Sequence, residues 1–166
     1  MKTADGFDVE TIRSLNGHDI QIERVFGGQK TSTVSFEGLF DTATEGPGTQ
    51  TSFVYQGDYR NFRPEIGSHF RYTVSYTIPS QWIEGSETID MTVVGHGSVL
   101  IGSCRYATLT IINRVENANE SGVRIAAFDF SPELKTTLRS HTTKDGELPQ
   151  DFVYSSISIN IGKEER

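Results

Sequence analysis

From Phe70 to Ile78 every second residue is apolar: Phe70, Tyr72, Val74, Tyr76 and Ile78 alternate with Arg71, Thr73, Ser75 and Thr77. Successive strand side chains point to opposite faces, so this segment predicts a strand with one dry face and one wet face. Pro79 ends it, because proline cannot donate to a ladder. Burying the five apolar side chains contributes about 8–15 kcal/mol before entropy is counted. The segment is therefore expected to be the central stave of a sheet.

Weaker alternation recurs along the rest of the chain. Val9–Leu15 and Asp19–Val25 flank Asn16-Gly17, which predicts a two-residue β-hairpin. Gly27-Gly28 predicts the next turn, and Thr31–Leu39 a strand with Val34 and Phe36 inward. Thr42–Gln50 contains Glu45-Gly-Pro-Gly48 and predicts a mobile loop, followed by a strand over Thr51–Gln56. Ser80–Glu87 reads as a polar connector, Thr88–Val94 as a strand and Gly95-His-Gly97 as a turn. Val99–Ile101, Arg105–Arg114, Val123–Phe130, Leu138–Thr143 and Phe152–Ile161 complete the expected strands. Ser131-Pro-Glu-Leu-Lys135 has the capping serine and early proline of one helical turn. Regular short strands between turns predict an all-β fold, an antiparallel β-sandwich or a full or half barrel, with at most one or two short helical turns. No repeat or linker interrupts residues 1–166, so a single β domain is expected.

Composition agrees. Thr, Ile and Val number 43 against 13 for Ala plus Leu, and β-branched side chains favour pleated sheet. A formal net charge of −7 repels phosphate backbones, which argues against nucleic acid and anionic membranes as partners. One cysteine, Cys104, excludes an internal disulfide and a cysteine-based zinc site, and a buried, inert thiol is expected there. No apolar run reaches the roughly 20 residues of a membrane-spanning helix. The first residues, Met1-Lys-Thr-Ala-Asp-Gly, lack an apolar core, so no signal peptide is expected in this stretch.

Candidate chemistry is sparse. His18, His69, His96 and His141 form no paired ligand spacing, so neither a metal nor another cofactor is expected. Gly95-His-Gly-Ser98 lacks the strand–turn–helix pattern of a nucleophile elbow. Glu116, Asn117, Asn119 and Glu120 offer oxygens for calcium without EF-hand spacing, and Asn119-Glu-Ser121 is formally a glycosylation sequon. Phe53, Tyr55, Tyr59 and Phe62 are interleaved with Arg60 and Arg63 just before the central strand. Together with Trp82, these aromatics are the candidate ligand-binding residues, with Tyr55, Tyr59 and Trp82 at a pocket mouth.

Three segments carry a resemblance. Val99-Leu-Ile-Gly-Ser-Cys-Arg-Tyr-Ala-Thr-Leu-Thr-Ile111 resembles the Val-x-Val-Pro-Ala-Gly-Thr-Phe-x-x-Leu-x-Ile segment of a loose group of bacterial, often extracytoplasmic β proteins of unknown function. Gly102 stands for the proline and Cys104 for the glycine. Phe62-Arg-Pro-Glu-Ile-Gly67 and Phe130-Ser-Pro-Glu-Leu134 resemble that group's Pro/Gly lead-in and its later aromatic-Ser-Pro-Glu-Leu. The resemblance implies a curved half-barrel like that of lipoprotein carriers, a periplasmic or otherwise extracytoplasmic location, and a non-enzymatic binding role. The expected partner is a small apolar ligand or an envelope protein. The alternatives are a structural module of an envelope assembly and a hydrolase built from His96, Ser98 and Asp90.

Overall fold

The computed structural model describes residues 9–117, 122–144 and 150–157. Its strands, in chain order, are β1 (Val9–Ser14), β2 (Asp19–Phe26), β3 (Gln29–Phe36), β4 (Phe40–Gly46), β5 (Thr49–Gln56), β6 (His69–Ile78), β7 (Ile83–Ile101), β8 (Cys104–Asn117), β9 (Val123–Ser131), β10 (Thr136–Lys144) and β11 (Gln150–Val153). Each pairs antiparallel with the next, giving one unclosed 11-stranded sheet in sequence order. Two 3-10 turns, Tyr59–Asn61 and Pro79–Gln81, are the only helical turns among the described residues. The all-β expectation stands, and the half-barrel is the architecture that fits a single sheet.

The strand predicted most firmly is β6, sixth of the 11. Tyr72 and Val74 are buried on its dry face, while His69, Arg71 and Thr77 are exposed on the other. They pack with Ile89, Met91 and Val93 of β7, Leu109, Ile111 and Val115 of β8, and Phe130 of β9. Phe36 of β3 and Phe40 of β4 enter the same core. That core therefore joins strands six positions apart in the sheet, which only a curved sheet allows.

A flat sheet would set β1 and β10 roughly 40 Å apart at about 4.8 Å per strand. Instead Thr136 Oγ1 of β10 donates to Glu10 Oε1 of β1 at 3.1 Å. The sheet is rolled until its two ends meet at a seam. Lys135, between β9 and β10, pairs with Glu37 of the β3–β4 turn at 2.8 Å and donates to the Gly17 carbonyl. Gly38 lies so close to Lys135 that a Cβ there would sit 1.9 Å from the Lys135 carbonyl oxygen, at a φ of +70°.

Several turns differ from their sequence reading. The first hairpin is not closed by two residues: Leu15 N donates to Asp19 O, and Asn16, Gly17 and His18 form a three-residue loop. The Asn16 side-chain oxygen accepts from the backbone N–H of both His18 and Asp19, so its amide supplies the turn that tight pairing would have given. The expected mobile loop over Thr42–Gln50 is instead the tight β4–β5 hairpin, with Gly46 opposite Thr49. Pro47 followed by Gly48 at φ +72° has the type II turn pattern, a case where turn chemistry was mistaken for looseness. Ser131–Lys135 forms a turn rather than a helical turn, because β9 and β10 pair up to Ser131 and Thr136 across it.

The largest correction is β7. Its 19 residues absorb most of the supposed connector before Thr88 and the supposed turn at Gly95-His96-Gly97. The glycines mark a bulge between Val93 and Gly95, not a reversal. The reversal comes later, at Gly102-Ser103, where Ile101 faces Cys104. Past the bulge Val99 and Ile101 leave the main core and pack with Leu138 in a second cluster, joined by Tyr106, Leu134, Tyr154 and Ile157. Cys104 is exposed rather than buried, since it opens β8 at this hairpin's tip. The last strand ends at Val153, short of the expected Phe152–Ile161, and Ile159 and Ile161 lie outside the described residues.

Candidate functional site

Where the two ends of the sheet meet, they enclose a cleft of about 430 Å³. One wall comes from β1, β2 and the start of β4 with Glu10, Ile22, Arg24 and Asp41. The other comes from β9, β10, β11 and the residue after it, with Phe128, Ser140, Phe152 and Tyr154. Leu39 closes the side beside the β3–β4 turn. Volume and lining fall in the range of small-molecule sites: apolar walls with a few polar groups.

The polar groups have distinct states. Glu10 faces Arg24 directly across the β1–β2 ladder. Its carboxylate is 7% exposed and accepts from Arg24 Nε at 2.7 Å and from Thr136 Oγ1 at 3.1 Å. Burial works against the Arg24 charge, but the adjacent Glu10 outweighs it and raises the guanidinium pKa. Burial holds the Asp41 carboxyl above its ordinary range, and Glu10 adds to that, against smaller opposing effects of the Ser35 hydroxyl and Arg24. Burial likewise raises the Tyr154 phenol, helped by the neighbouring Glu10 carboxylate.

The aromatics singled out from the sequence are distributed differently. Phe53, Tyr55, Tyr59 and Phe62 all pack against the main core. Tyr55 and Tyr59 lie 4.7 Å apart, and Tyr55, Tyr59 and Phe62 each contact the buried Phe40 ring. None of the four lines the cleft, although the Tyr55 hydroxyl donates to the Asp41 carbonyl at 2.8 Å and so reaches its edge. Trp82 is not brought to them. It follows the 3-10 turn at the β6–β7 reversal, with φ +54° and 94% exposure.

The residues weighed for hydrolysis do not converge. Asp90 faces Arg114 and His96 faces Leu109 on an unbroken β8, and an odd separation there puts them on opposite faces. Asp90 is instead 3.3 Å from Arg71 Nη1 and 3.5 Å from His69 Nε2, and Ser98 Oγ accepts from Arg105 at 2.9 Å. Among the described residues no three His, Cys, Asp or Glu side chains form a group able to hold a metal. Of the imagined calcium loop only Glu116 and Asn117 are described; Asn119, Glu120 and Ser121, and with them the sequon, lie outside.

Glu10, Arg24 and Asp41 were missed, yet a signal was present. Ile12 and Glu10 share one strand face, as do Ile20, Ile22 and Arg24. An acid and a base at positions that alternation assigns to the inside mark a polar spot in an apolar wall.

No family model matches the chain, and no curated protein matches it in sequence. Among solved structures it is similar to the hypothetical lipoprotein YmcC from Escherichia coli K12. That likeness has a TM-score of 0.55 at 10% identity and covers 91% of this chain and 78% of the other. At that identity it is a likeness of fold. The segments that resemble bacterial extracytoplasmic β proteins fall on the β7–β8 tip, the lead into β6 and the β9–β10 turn.

Proposed function

We propose that this chain is a single, non-enzymatic β domain of the bacterial cell envelope that binds a small, largely apolar ligand in the seam cleft. The observation that carries this is the cleft itself, roofed by no second sheet among the described residues and walled by Ile22, Leu39, Phe128 and Phe152. A fold shared with a lipoprotein supports an extracytoplasmic location. The scattered positions of Asp90, His96 and Ser98 favour binding over hydrolysis. Tyr55 supports the cleft from behind through Asp41, with Phe53, Tyr59 and Phe62 as the packed layer that keeps it in place.

The edges supply a second reading. Among the described residues β1 and β11 each lack a partner on one side, and Val9 and Val153 are both 47% exposed there. Unpaired edges of this kind accept a strand from an envelope protein partner or from a structural assembly.

Calorimetric titration with decanol tests the first reading. Trp82 fluorescence is unsuited, because that ring lies outside the cleft. Saturable binding is expected in the wild type, with at least a tenfold loss in Ser140→Phe, whose ring would fill the cleft. Absence of saturable binding, or equal binding by a folded Ser140→Phe protein, would overturn the cleft as the ligand site.

A further inference from the structure

We infer, resting on the cleft as the ligand site, that its ligand is a cationic amphiphile whose ammonium head pairs with Asp41. The cleft lining contains two carboxylates, Glu10 and Asp41, and one cation, Arg24. The cation is already spent: Arg24 Nε binds Glu10 Oε2 at 2.7 Å, and the other Glu10 oxygen takes the Thr136 hydroxyl. Asp41 makes no ion pair among the described residues, and the neighbouring Ser35 hydroxyl is buried with no hydrogen-bond partner among them.

The same molecule shows what a buried aspartate looks like when it is structurally satisfied. Asp129 is 5% exposed, with Thr110 Oγ1 on one oxygen at 2.8 Å and Arg139 on the other. Asp41 has no counterpart to Arg139, and its carboxyl is raised by burial, so a charge from outside would relieve it. A carboxylate ligand would bring a third anion to a single cation. An ammonium brings three donors, which Asp41 and the lining hydroxyls of Thr137 and Ser140 can accept, while the ligand's chain lies on Phe128, Phe152 and Leu39.

Decylamine, decanol and decanoic acid share one chain and differ in head charge, so calorimetric titration with all three separates the terms. Decylamine is expected to bind about tenfold tighter than decanoate, the scale of one desolvated charge pair, with decanol between them. Asp41→Asn should bring the amine-to-acid ratio close to one. Decanoate binding as tightly as decylamine, or a folded Asp41→Asn protein with the wild-type ratio, would overturn the inference and leave the cleft as an apolar site. If none of the three binds, the cleft reading falls and the head-group inference with it. The wild-type ratio needs no variant, so a folding defect in Asp41→Asn does not block the decision.

Discussion

The middle of the sheet and its seam are held by different physics. Between β6, β7 and β8 every strand is paired along most of its length, and side chains such as Met91, Val93 and Ile111 are at most 1% exposed. At the seam no ladder joins β1 to β11 among the described residues. The ends are held by Lys135 with Glu37 and the Gly17 carbonyl, by Thr136 with Glu10, and by the backbone approach of Gly38 to Lys135. These contacts span up to 126 residues of chain and are mostly polar and partly exposed. Local ladders with an apolar face open last, and scattered polar contacts open first. The cleft lies at the side of the molecule that yields more easily, which suits a site that must admit a ligand.

The sharpest break in this contrast comes from the centre. Val74→Asp puts an unpaired charge among Tyr72, Ile89 and Phe40 and should cost about 3–5 kcal/mol, measured as a fall in the urea midpoint. A loss below about 1 kcal/mol would mean that β6 does not anchor the core. At the seam, Gly38→Ala should cost about 2–4 kcal/mol, because the new methyl meets backbone rather than a movable side chain and the φ is left-handed. Gly28→Ala is its control. Gly28 has φ +79° in the β2–β3 turn but open space around it, so only the left-handed penalty of about 1 kcal/mol applies. The difference between the two variants isolates the seam contact, and equal losses would mean that the ends of the sheet do not press together.

The same contrast separates what the sequence shows from what it hides. The centre was legible because Phe70–Ile78 alternates without interruption and the periodicity of one strand is a local property. β7 was harder. Its bulge swaps faces between Val93 and Gly95, so the buried odd positions run on unbroken from Ile89 to Ile101 while passing from one core to the other, and Gly95-His-Gly97 imitates a turn. The seam was hidden for another reason. No pattern within β1 or β10 says that Glu10 meets Thr136, since that contact depends on how far ten successive strands coil. The aromatic run from Phe53 to Phe62 marked a real cluster, but a filled one beside the cleft. Its density of rings reported core packing, and the cleft's own signal was the charge at inward positions 10 and 24.

The smallest predicted effect is a pH-dependent loosening confined to the seam. Glu37 sits between Lys135 and His18, whose ring nitrogen is 2.5 Å from its carboxylate. Partial burial pushes the Glu37 carboxyl up, but the hydrogen bonds and charges of Lys135 and His18 together prevail and lower it below its ordinary 4.5. A carboxyl whose folded pKa is depressed stabilises the fold above its unfolded pKa, and that contribution is lost as pH falls through the folded value. Asp41, raised by burial, has the opposite sign: its ionisation disfavours the fold, and protonation on acidification relieves it. Glu37→Gln should therefore lower stability by less than about 1 kcal/mol near neutral pH, the range of partly exposed ion pairs, and the gap to wild type should close as pH falls below the ordinary 4.5 and through the depressed value. Asp41→Asn should shift the other way, with its largest relative gain near neutral pH. Thermal unfolding of the three proteins across that pH range reads both signs at once. A Glu37→Gln gap that stays constant from neutral pH into acid would show that the Lys135–Glu37–His18 contact does not hold the two ends of the sheet together.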